Sequence, residues 1–381
     1  MKNLKIAKIQ QQLKDKAIDA LIINRTDEFL NEYIPPDAER LSWATDFSGS
    51  AGRAIINQNT SSLFVDGRYT FQAKKQIDID MISLLHWNDF SEELKKNFKK
   101  NKCVALDPML HSIEEVNKII ELADENETKL YFTSPNLIDE LWIDKPERKY
   151  SVIFNHPINY AGIDASNKVD QLVKELKSNN LDSYFLSSLD SIAWLLNIRA
   201  DDILHTPLAF SYLFISVENK PILYLSIEKL NTDLKNRLSN FLNLQPIEEI
   251  ENIFENLTKK LKVGFDYKNT SYFFYDLALG NDLVPSNLQN PCLMPKATKN
   301  ETELEGSRKA HLRDGVSITK FLYWLKNHQS VEEENEISVA NKLLSFRESN
   351  ELFHSVSFDS ISAIGKNAAL PHYRADKNNP V

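Results

Sequence analysis

The feature of this sequence that most constrains its fold is an order of local patterns that occurs twice along the chain. In the first occurrence, residues 6–17 carry an apolar stripe with helical spacing, and residues 20–23 form an apolar run typical of a buried strand. A tryptophan-containing run at residues 41–44 is interpreted as another strand. Residues 54–65 then form a hairpin, with its turn at residues 57–61.

The second occurrence repeats this order with low sequence identity. Residues 169–176 carry the helical stripe, residues 184–186 the strand, residues 192–195 the tryptophan-containing run and residues 212–225 the hairpin. This repetition predicts a duplicated α/β domain. The alternative is two unrelated α/β units, because the order of helix, strand and hairpin is common.

Two junctions divide the chain into three regions. Residues 141–146 link the repeated segments, and the proline-punctuated stretch at residues 284–295 precedes the third region. The fold class is therefore α/β, and we expect domains at residues 1–148, 149–295 and 296–381.

The third region begins with two predicted helices. Asn300 and Glu303 have the spacing of a capping box, and the helix that follows extends to about His328. Its predicted inner face includes Leu304, His311, Ile318, Leu322 and Leu325. A second helix follows a short acidic run, and residues 354–374 are interpreted as rich in strand. Residues 375–381 show no pattern of a closing helix or strand, so we expect the third domain to be incomplete.

Charge and cysteine content exclude several classes of protein. The net charge is −9, so the chain is a poor non-specific binder of nucleic acid or of an anionic membrane. No apolar run approaches the roughly 18 residues of a membrane span, and the polar N-terminus does not resemble a signal peptide. Two cysteines, Cys103 and Cys292, exclude a disulfide framework and a cysteine zinc site. We expect a cytoplasmic protein without nucleic-acid or membrane partners.

The sequence lacks the familiar catalytic and metal-binding motifs. It contains no HExxH, CxxC, GxGxxG, GxxxxGK[ST] or GxSxG pattern. Acidic runs at residues 201–202 and 332–334 fit a solvated face better than a divalent cation site, because neither supplies enough ligands. Apart from His372, the histidines show no ligand spacing and are interpreted as structural.

Three short motifs leave alternatives open. Residues 49–52, Gly-Ser-Ala-Gly, form a turn that needs positive φ or a close backbone approach, or they line a cleft at a domain interface. Arg68, in Asp-Gly-Arg-Tyr, is either a solvated residue or a bidentate hydrogen-bond donor to a peptide carbonyl or carboxylate. His372 is either structural or a donor to developing negative charge.

Taken together, the motifs resemble the long, three-domain Xaa-Pro aminopeptidases (aminopeptidase P). That family has two tandem creatinase-type N-terminal α/β domains before a pita-bread metallopeptidase domain. The matching strings follow the family order across nearly the whole chain, at residues 47–52, 66–69, 190–199, 210–212, 299–306, 311–315, 358–362 and 372–374.

The resemblance implies a cytoplasmic enzyme that removes the N-terminal residue from a peptide with proline at the second position. In that family two divalent ions, usually manganese, bridge the hydroxide that attacks the peptide carbonyl. Arg68 matches the arginine that contacts the peptide. His372 matches the catalytic histidine that hydrogen-bonds the substrate near the metals, so both residues are substrate-binding candidates. Dimerisation is common in the family, so a homodimer is a further expectation.

One departure from the family matters more than the match. The family's metal ligands, two aspartates, a histidine and two glutamates, all lie C-terminal to the segment matching His372, where only nine residues remain here. We therefore expect a truncated chain that has no metal ligands, binds no divalent ions and is inactive as a peptidase on its own. Smaller departures are Arg53, where the family tends to have a small residue, and Pro371, which removes a backbone donor.

Two other interpretations stay open. The chain could be a non-catalytic peptide-binding or interaction module of the degenerate pita-bread type, which retains Arg68 and His372. It could also be a structural duplicate without a retained site. A half-built third domain argues against the binding module, because it exposes helix stripes and strand edges.

Overall fold

The computed structural model describes residues 4–255, 257–376 and 381. It divides the chain into two compact units. The larger comprises Met1–Ile158 and Ile163–Thr298, and the smaller comprises Asn159–Gly162 and Lys299–Val381.

The helices and strands alternate through most of the chain. The α-helices are α1 (Leu4–Asp15), α2 (Arg40–Thr45), α3 (Thr70–Gln76), α4 (Phe90–Asn97), α5 (Ile113–Glu125), α6 (Leu137–Leu141), α7 (Ile158–Ala161), α8 (Ala165–Ser178), α9 (Leu189–Leu196), α10 (Thr232–Ser239), α11 (Tyr272–Gly280), α12 (Leu293–Ala297), α13 (Glu301–Asn327) and α14 (Glu336–Glu348). The strands are β1 (Ala20–Asn24), β2 (Arg53–Asn57), β3 (Ser61–Val65), β4 (Ser83–His86), β5 (Cys103–Leu106), β6 (Lys129–Phe132), β7 (Phe154–Asn155), β8 (Ser183–Leu186), β9 (Ile198–Arg199), β10 (Ser211–Ser216), β11 (Ile222–Leu225), β12 (Asn243–Pro246), β13 (Lys262–Phe265) and β14 (Val284–Asn287).

The first half of the larger unit contains a six-stranded mixed sheet in the order β4-β3-β2-β1-β5-β6. Strand β1 pairs antiparallel with β2 and parallel with β5, and β2 pairs antiparallel with β3. The outer pairs β3–β4 and β5–β6 are parallel. All five residues of β1 are buried, as expected for a central strand covered on both faces.

The second half repeats this sheet strand for strand. Its order is β12-β11-β10-β8-β13-β14, and each neighbouring pair has the same direction as its counterpart in the first sheet. The two tryptophan-containing segments become helices α2 and α9 at corresponding places after β1 and β8. The predicted duplication of an α/β domain is therefore confirmed at the level of topology.

Three hydrophobic clusters hold the larger unit together. One lies between the first sheet and helices such as α1, where Ile6, Ile9 and Leu13 are fully buried. A second lies between the second sheet and helices α8 and α9. The third contains residues of both sheets, including Phe64 and Phe185. The two halves thus share a core, which explains why they form one compact unit.

Arg148, at the junction of the two halves, joins them by charge as well. Its guanidinium donates to Asp37 at 2.9 and 2.7 Å and also pairs with Glu28, both in the first half. The same group lies 4.7 Å from the ring centre of Phe210 in the second half. Just after the predicted link at residues 141–146, the two halves are therefore packed together around Arg148.

The smaller unit has well-formed helices and almost no core. Asn300 and Glu303 make both hydrogen bonds of the predicted capping box at the start of α13. Of the described residues from 299 to 381, just two are buried, and both are polar, Ser317 and Glu336. The predicted inner face of α13 is not buried, and Leu322 is 57% exposed.

Three further local predictions were wrong. Residues 41–44 belong to helix α2, because their apolar side chains pack beside α1 and not in a ladder. Residues 284–287 are strand β14, not a linker, and Pro285 is tolerated there because β14 is an edge strand. Residues 354–374 contain no strand in the part of the chain that is described, only turns and the 3-10 helix Gly365–Ala369.

Candidate functional site

Arg68 lies in a turn between the end of β3 and the start of α3. Asp66, two residues earlier in the same turn, orients its side chain. Asp66 accepts from the backbone N–H of Arg68 at 2.9 Å, from Nε at 3.0 and 3.1 Å, and from Nη2 at 2.6 Å. The hydrogen bond to Asp66 raises the pKa of Arg68 above its ordinary value. The side chain is 48% exposed, so an oriented guanidinium faces solvent.

The turn is fastened to residues 47–52, which we name the glycine loop. The hydroxyls of Tyr69 and Ser50 are 2.5 Å apart, and the buried Tyr69 ring contacts Phe47 edge to face at 5.7 Å. The Arg68 guanidinium lies 5.4 Å from the centre of the same tyrosine ring. Two strings that are separate in the sequence are therefore one packed structure.

Glycine is required at positions 49 and 52 because the backbone passes close to the Phe47 ring, not because φ is positive there. A Cβ on Gly49 would lie 2.2 Å from Cζ of Phe47, and one on Gly52 would lie 2.9 Å from Cε1 of the same ring. Neither glycine has a left-handed backbone. The loop wraps the Phe47 ring so closely that side chains at both positions are excluded.

Arg25 positions the glycine loop and was not singled out from the sequence. Its Nη1 donates to the carbonyl of Ser50 at 3.0 Å, and its Nη2 pairs with Glu39 at 2.7 Å. Its backbone N–H donates to the carbonyl of Gly52 at 3.2 Å. The available signal was the polar pair Asn24-Arg25 directly after a buried strand, where site residues of open α/β sheets are often found.

Arg53, where the resemblance led us to expect a small residue, is accommodated by specific partners. Its Nη1 donates to Glu115 Oε1 at 2.9 Å. Its guanidinium lies 4.8 Å from the ring centre of Trp87 and 4.9 Å from that of Phe90. The larger side chain therefore gains one ion pair and two cation–π contacts.

His372 lies in the smaller unit, in an exposed turn after the 3-10 helix. The next residue, Tyr373, donates to the buried carboxylate of Glu336 at 2.7 Å and accepts from Asn367 at 2.9 Å. Burial opposes the charged form of Glu336, but hydrogen bonds donated to it by Tyr373, Asn367 and the backbone lower its pKa below the ordinary value. The hydrogen bond to Glu336 raises the pKa of Tyr373. Arg68 and His372 thus belong to different compact units.

The acidic runs form a solvated face only in part: Asp201, Glu332 and Glu333 are exposed as predicted, whereas Asp202 and Glu334 are half-buried. Asp202 accepts from the backbone N–H and the hydroxyl of Ser151 at 2.6 and 2.7 Å, and from the N–H of Phe210 at 2.9 Å. Glu334 contacts His328 at 3.1 Å.

The described residues do not assemble a metal centre. No group of three or more His, Cys, Asp and Glu side chains among them is placed to hold an ion. The other residues of the chain, 1–3, 256 and 377–380, include none of these four types. The dinuclear centre implied by the resemblance therefore does not fit the residues present. Nor does any helix in the described ranges combine the length and hydrophobicity that a bilayer crossing requires.

Comparison with known families divides the chain into three matches. The Creatinase/Prolidase N-terminal domain matches residues 5–141 and, through a second model with the same description, residues 144–303. Metallopeptidase family M24 matches residues 305–381.

Individual relatives match along almost the whole chain. A protein of Paracoccidioides brasiliensis (strain Pb18) named probable Xaa-Pro aminopeptidase P is 32% identical over 396 residues, and one of the same name from Penicillium rubens is 34% identical over 389 residues. Each match covers 98% of this chain but only 64% and 63% of the respective relative.

A solved structure agrees with these sequence matches. X-prolyl aminopeptidase from Caenorhabditis elegans, described as a cytosolic enzyme with a di-nuclear active site, superposes with a TM-score of 0.88 at 26% identity, over 98% of this chain and 64% of that one. Two creatinase/prolidase N-terminal domains precede residues of metallopeptidase family M24, and the chain thus belongs to the Xaa-Pro aminopeptidase P family.

Proposed function

We propose that this chain carries the peptide-recognition domains of a metallo-exopeptidase that hydrolyses the bond between an N-terminal residue and a proline at the second position. The observation that carries the proposal is the match over 98% of the chain to relatives named for this reaction. The relative named cytosolic supports a cytoplasmic location, and a homodimer is part of the same proposal.

Arg68 is the proposed contact to the peptide from the first domain. Asp66 holds the guanidinium in one orientation, and about half of the side chain is exposed. An oriented guanidinium loses little freedom when it donates to a peptide carbonyl or carboxylate, so recognition there is favourable. The packing of Tyr69 against the glycine loop keeps the turn rigid.

His372 is the proposed hydrogen-bond donor to the substrate near the metal ions. Its support is the motif match, its exposed position and the anchoring of the adjacent Tyr373 to Glu336. In the proposed reaction, two divalent ions, manganese in the simplest case, would supply an activated hydroxide. No set of residues in the described parts of the chain is suited to hold them.

We infer that the 381-residue polypeptide on its own does not turn over peptides. The absence of a suitable donor group among its described residues is one reason. The second is that residues 299–376 bury no apolar side chain, so the segment matched to family M24 lacks a core that would hold catalytic groups rigidly.

The test is an assay of the purified chain with added manganese on an Xaa-Pro-Pro peptide, beside the Caenorhabditis elegans enzyme as positive control. We expect no release of the N-terminal residue above the blank and no retention of manganese after desalting. Turnover by the 381-residue chain, or two manganese ions retained per chain, would refute the inactivity.

A metal-independent peptide-binding module is the second candidate. The complete core of the larger unit favours it, because that unit can present Arg68 whether or not metals bind elsewhere. Calorimetric titration with an Xaa-Pro peptide in the presence of a chelator separates the two candidates. Tight binding that is lost in Arg68→Ala and weakened in Arg68→Lys, whose ammonium group cannot make a bidentate pair, supports the module. Absence of binding excludes it.

A further inference from the structure

Helix α13 contacts α14 through polar groups. Arg347 of α14 donates to Asp314 of α13 at 2.7 and 3.2 Å. The hydroxyl of the buried Ser317 donates to the carbonyl of Phe346 at 3.1 Å. Asp314 and Ser317 are three positions apart and lie on one side of α13, so they mark the side that faces α14.

Two apolar stripes on other sides of α13 are open to solvent. Leu312, Val316 and Tyr323 form one stripe and are 72%, 48% and 72% exposed. Ile318 and Leu322 belong to the other stripe and are 37% and 57% exposed. Within each stripe the residues are four or seven positions apart, which aligns them along the helix, and the stripes lie about 120° apart around it. Large apolar side chains aligned in this way are typical of a surface that another polypeptide covers.

The charges around the stripes are mostly positive. Between residues 305 and 326, α13 carries five cationic side chains and two carboxylates. Both carboxylates have cationic partners, since Glu305 contacts Lys309 at 3.4 Å and Asp314 pairs with Arg347. A polypeptide that fits this surface therefore has apolar side chains at the centre of its contact face and carboxylates at the rim.

The family comparison indicates which polypeptide this is. Helix α13 lies almost entirely within residues 305–381, the range that matches metallopeptidase family M24. About a third of the Penicillium rubens relative and of the Caenorhabditis elegans enzyme lies outside the match to this chain. Those proteins therefore carry, beside a region equivalent to α13, a large segment that this chain does not match.

We propose that the two stripes of α13 are a docking surface for a polypeptide equivalent to that unmatched third, and that they bind it even when it is a separate chain. Its apolar side chains cover Leu312, Leu322 and Tyr323, and its carboxylates lie near the cationic rim. Removal of the stripes from water drives the association, because burial of apolar surface is the dominant favourable term in most protein assembly.

Co-expression of the tagged 381-residue chain with an untagged fragment tests the proposal. The fragment is the part of the Penicillium rubens relative that lies C-terminal to its match with this chain, and co-expression means that it need not fold alone. We expect the two chains to copurify in equal amounts, and amide exchange in α13 to slow about tenfold or more relative to the chain alone. Both readouts are taken without substrate, so a failure here is distinguishable from a failure of the proposed reaction.

Matched variants identify the surface that is used. Leu322→Asp places a carboxylate in the docking surface at an exposed position, where folding is not threatened, and weakens binding about tenfold or more. Ile143→Asp makes the same kind of change in the larger unit, at a residue that is 93% exposed, and leaves binding unchanged.

Three results would overturn the proposal. The first is that the fragment does not copurify with the chain, and the second is that Leu322→Asp binds it as well as the unmodified chain does. The third is a dimer of the 381-residue chain that Leu322→Asp dissociates and that the fragment does not join, because a second copy would then occupy the docking surface.

Discussion

At the scale of single residues, the glycine loop can pack against Phe47 and Tyr69 because Gly49 has no side chain. Phe47 is fully buried because the backbone at Gly49 passes directly over its ring. The same ring contacts Tyr69, which is the neighbour of Arg68. The position of the candidate peptide contact therefore depends on a residue that has no side chain.

We predict that Gly49→Ala destabilises the chain by about 1–3 kcal/mol, the usual cost of overpacking. The new Cβ would lie 2.2 Å from Phe47 Cζ and 2.7 Å from Tyr69 Cδ1, both rigid ring atoms. Urea unfolding followed by fluorescence measures the change in the free energy of unfolding.

Gly67→Ala is the matched control, because a Cβ at that position would meet open space. Beyond its two chain neighbours, no heavy atom of the described residues lies within 4 Å of the point that this Cβ would occupy, and the φ of Gly67 is not left-handed. We expect a change within about 0.5 kcal/mol there, as for an ordinary surface substitution. Equal effects at the two glycines would show that steric exclusion does not explain Gly49.

At the scale of elements, each half contains the same clamp between the helix that precedes the first strand of its six-stranded sheet and the helix that follows that strand. In the first half, Lys5 of α1 donates to Asp46 Oδ1 at 2.8 Å and lies 5.7 Å from the ring centre of Trp43. Asp46 ends α2 in the left-handed conformation.

The second half reproduces the clamp with a neutral partner. Lys168 of α8 donates to Asn197 Oδ1 at 2.8 Å and to the carbonyl of Trp194 at 2.6 Å, and it lies 4.4 Å from that ring. Asn197 ends α9, also in the left-handed conformation that Asp and Asn tolerate best. The two halves therefore share a contact geometry, although the partner of the lysine is Asp in one and Asn in the other.

We predict that Lys168→Met costs about 2 kcal/mol or more, whereas Lys5→Met costs less than about 1 kcal/mol. Lys168 is 3% exposed, so its removal leaves buried acceptors unsatisfied, but the Lys5–Asp46 pair is open to solvent. Urea unfolding of the two variants, compared with the unmodified chain, measures both costs. If Lys5→Met lowered the free energy of unfolding more than Lys168→Met, burial would not explain the strength of the clamp.

At the scale of the whole molecule, the two compact units differ in how apolar surface is buried. The larger unit has three hydrophobic clusters, one of them shared by both halves. Residues 299–376 bury no apolar side chain and leave Leu312, Tyr323 and Phe358 between 64% and 72% exposed. Helices without a buried apolar face have little stability of their own in water.

We predict that backbone amides of α13 and α14 exchange with solvent far faster than those of β1 and β8. A global stability of ~5 kcal/mol implies protection of about 10³-fold or more in the core strands. Hydrogen exchange followed by mass spectrometry measures the difference. Comparable protection in α13 and β1 would show that the smaller unit is stabilised by contacts other than apolar burial.

Much of the secondary structure could be predicted from local patterns. The stripe at Ile6, Ile9 and Leu13, the hairpin at residues 54–65 and the capping box at Asn300 depend on neighbouring residues alone, and all three are present. The run at residues 41–44 was predicted wrongly, because four apolar residues fit a strand and a short helix equally well.

The duplication and the family were evident from the sequence alone, because they follow from local periodicity and from strings in a recognisable order, although three segments were assigned the wrong secondary structure. The fold was needed to show that Asn24, Glu115 and Lys268 share one cavity and that the apolar face of α13 is exposed. Both outcomes depend on which distant segments of the chain contact each other. A local sequence pattern contains no information about those contacts.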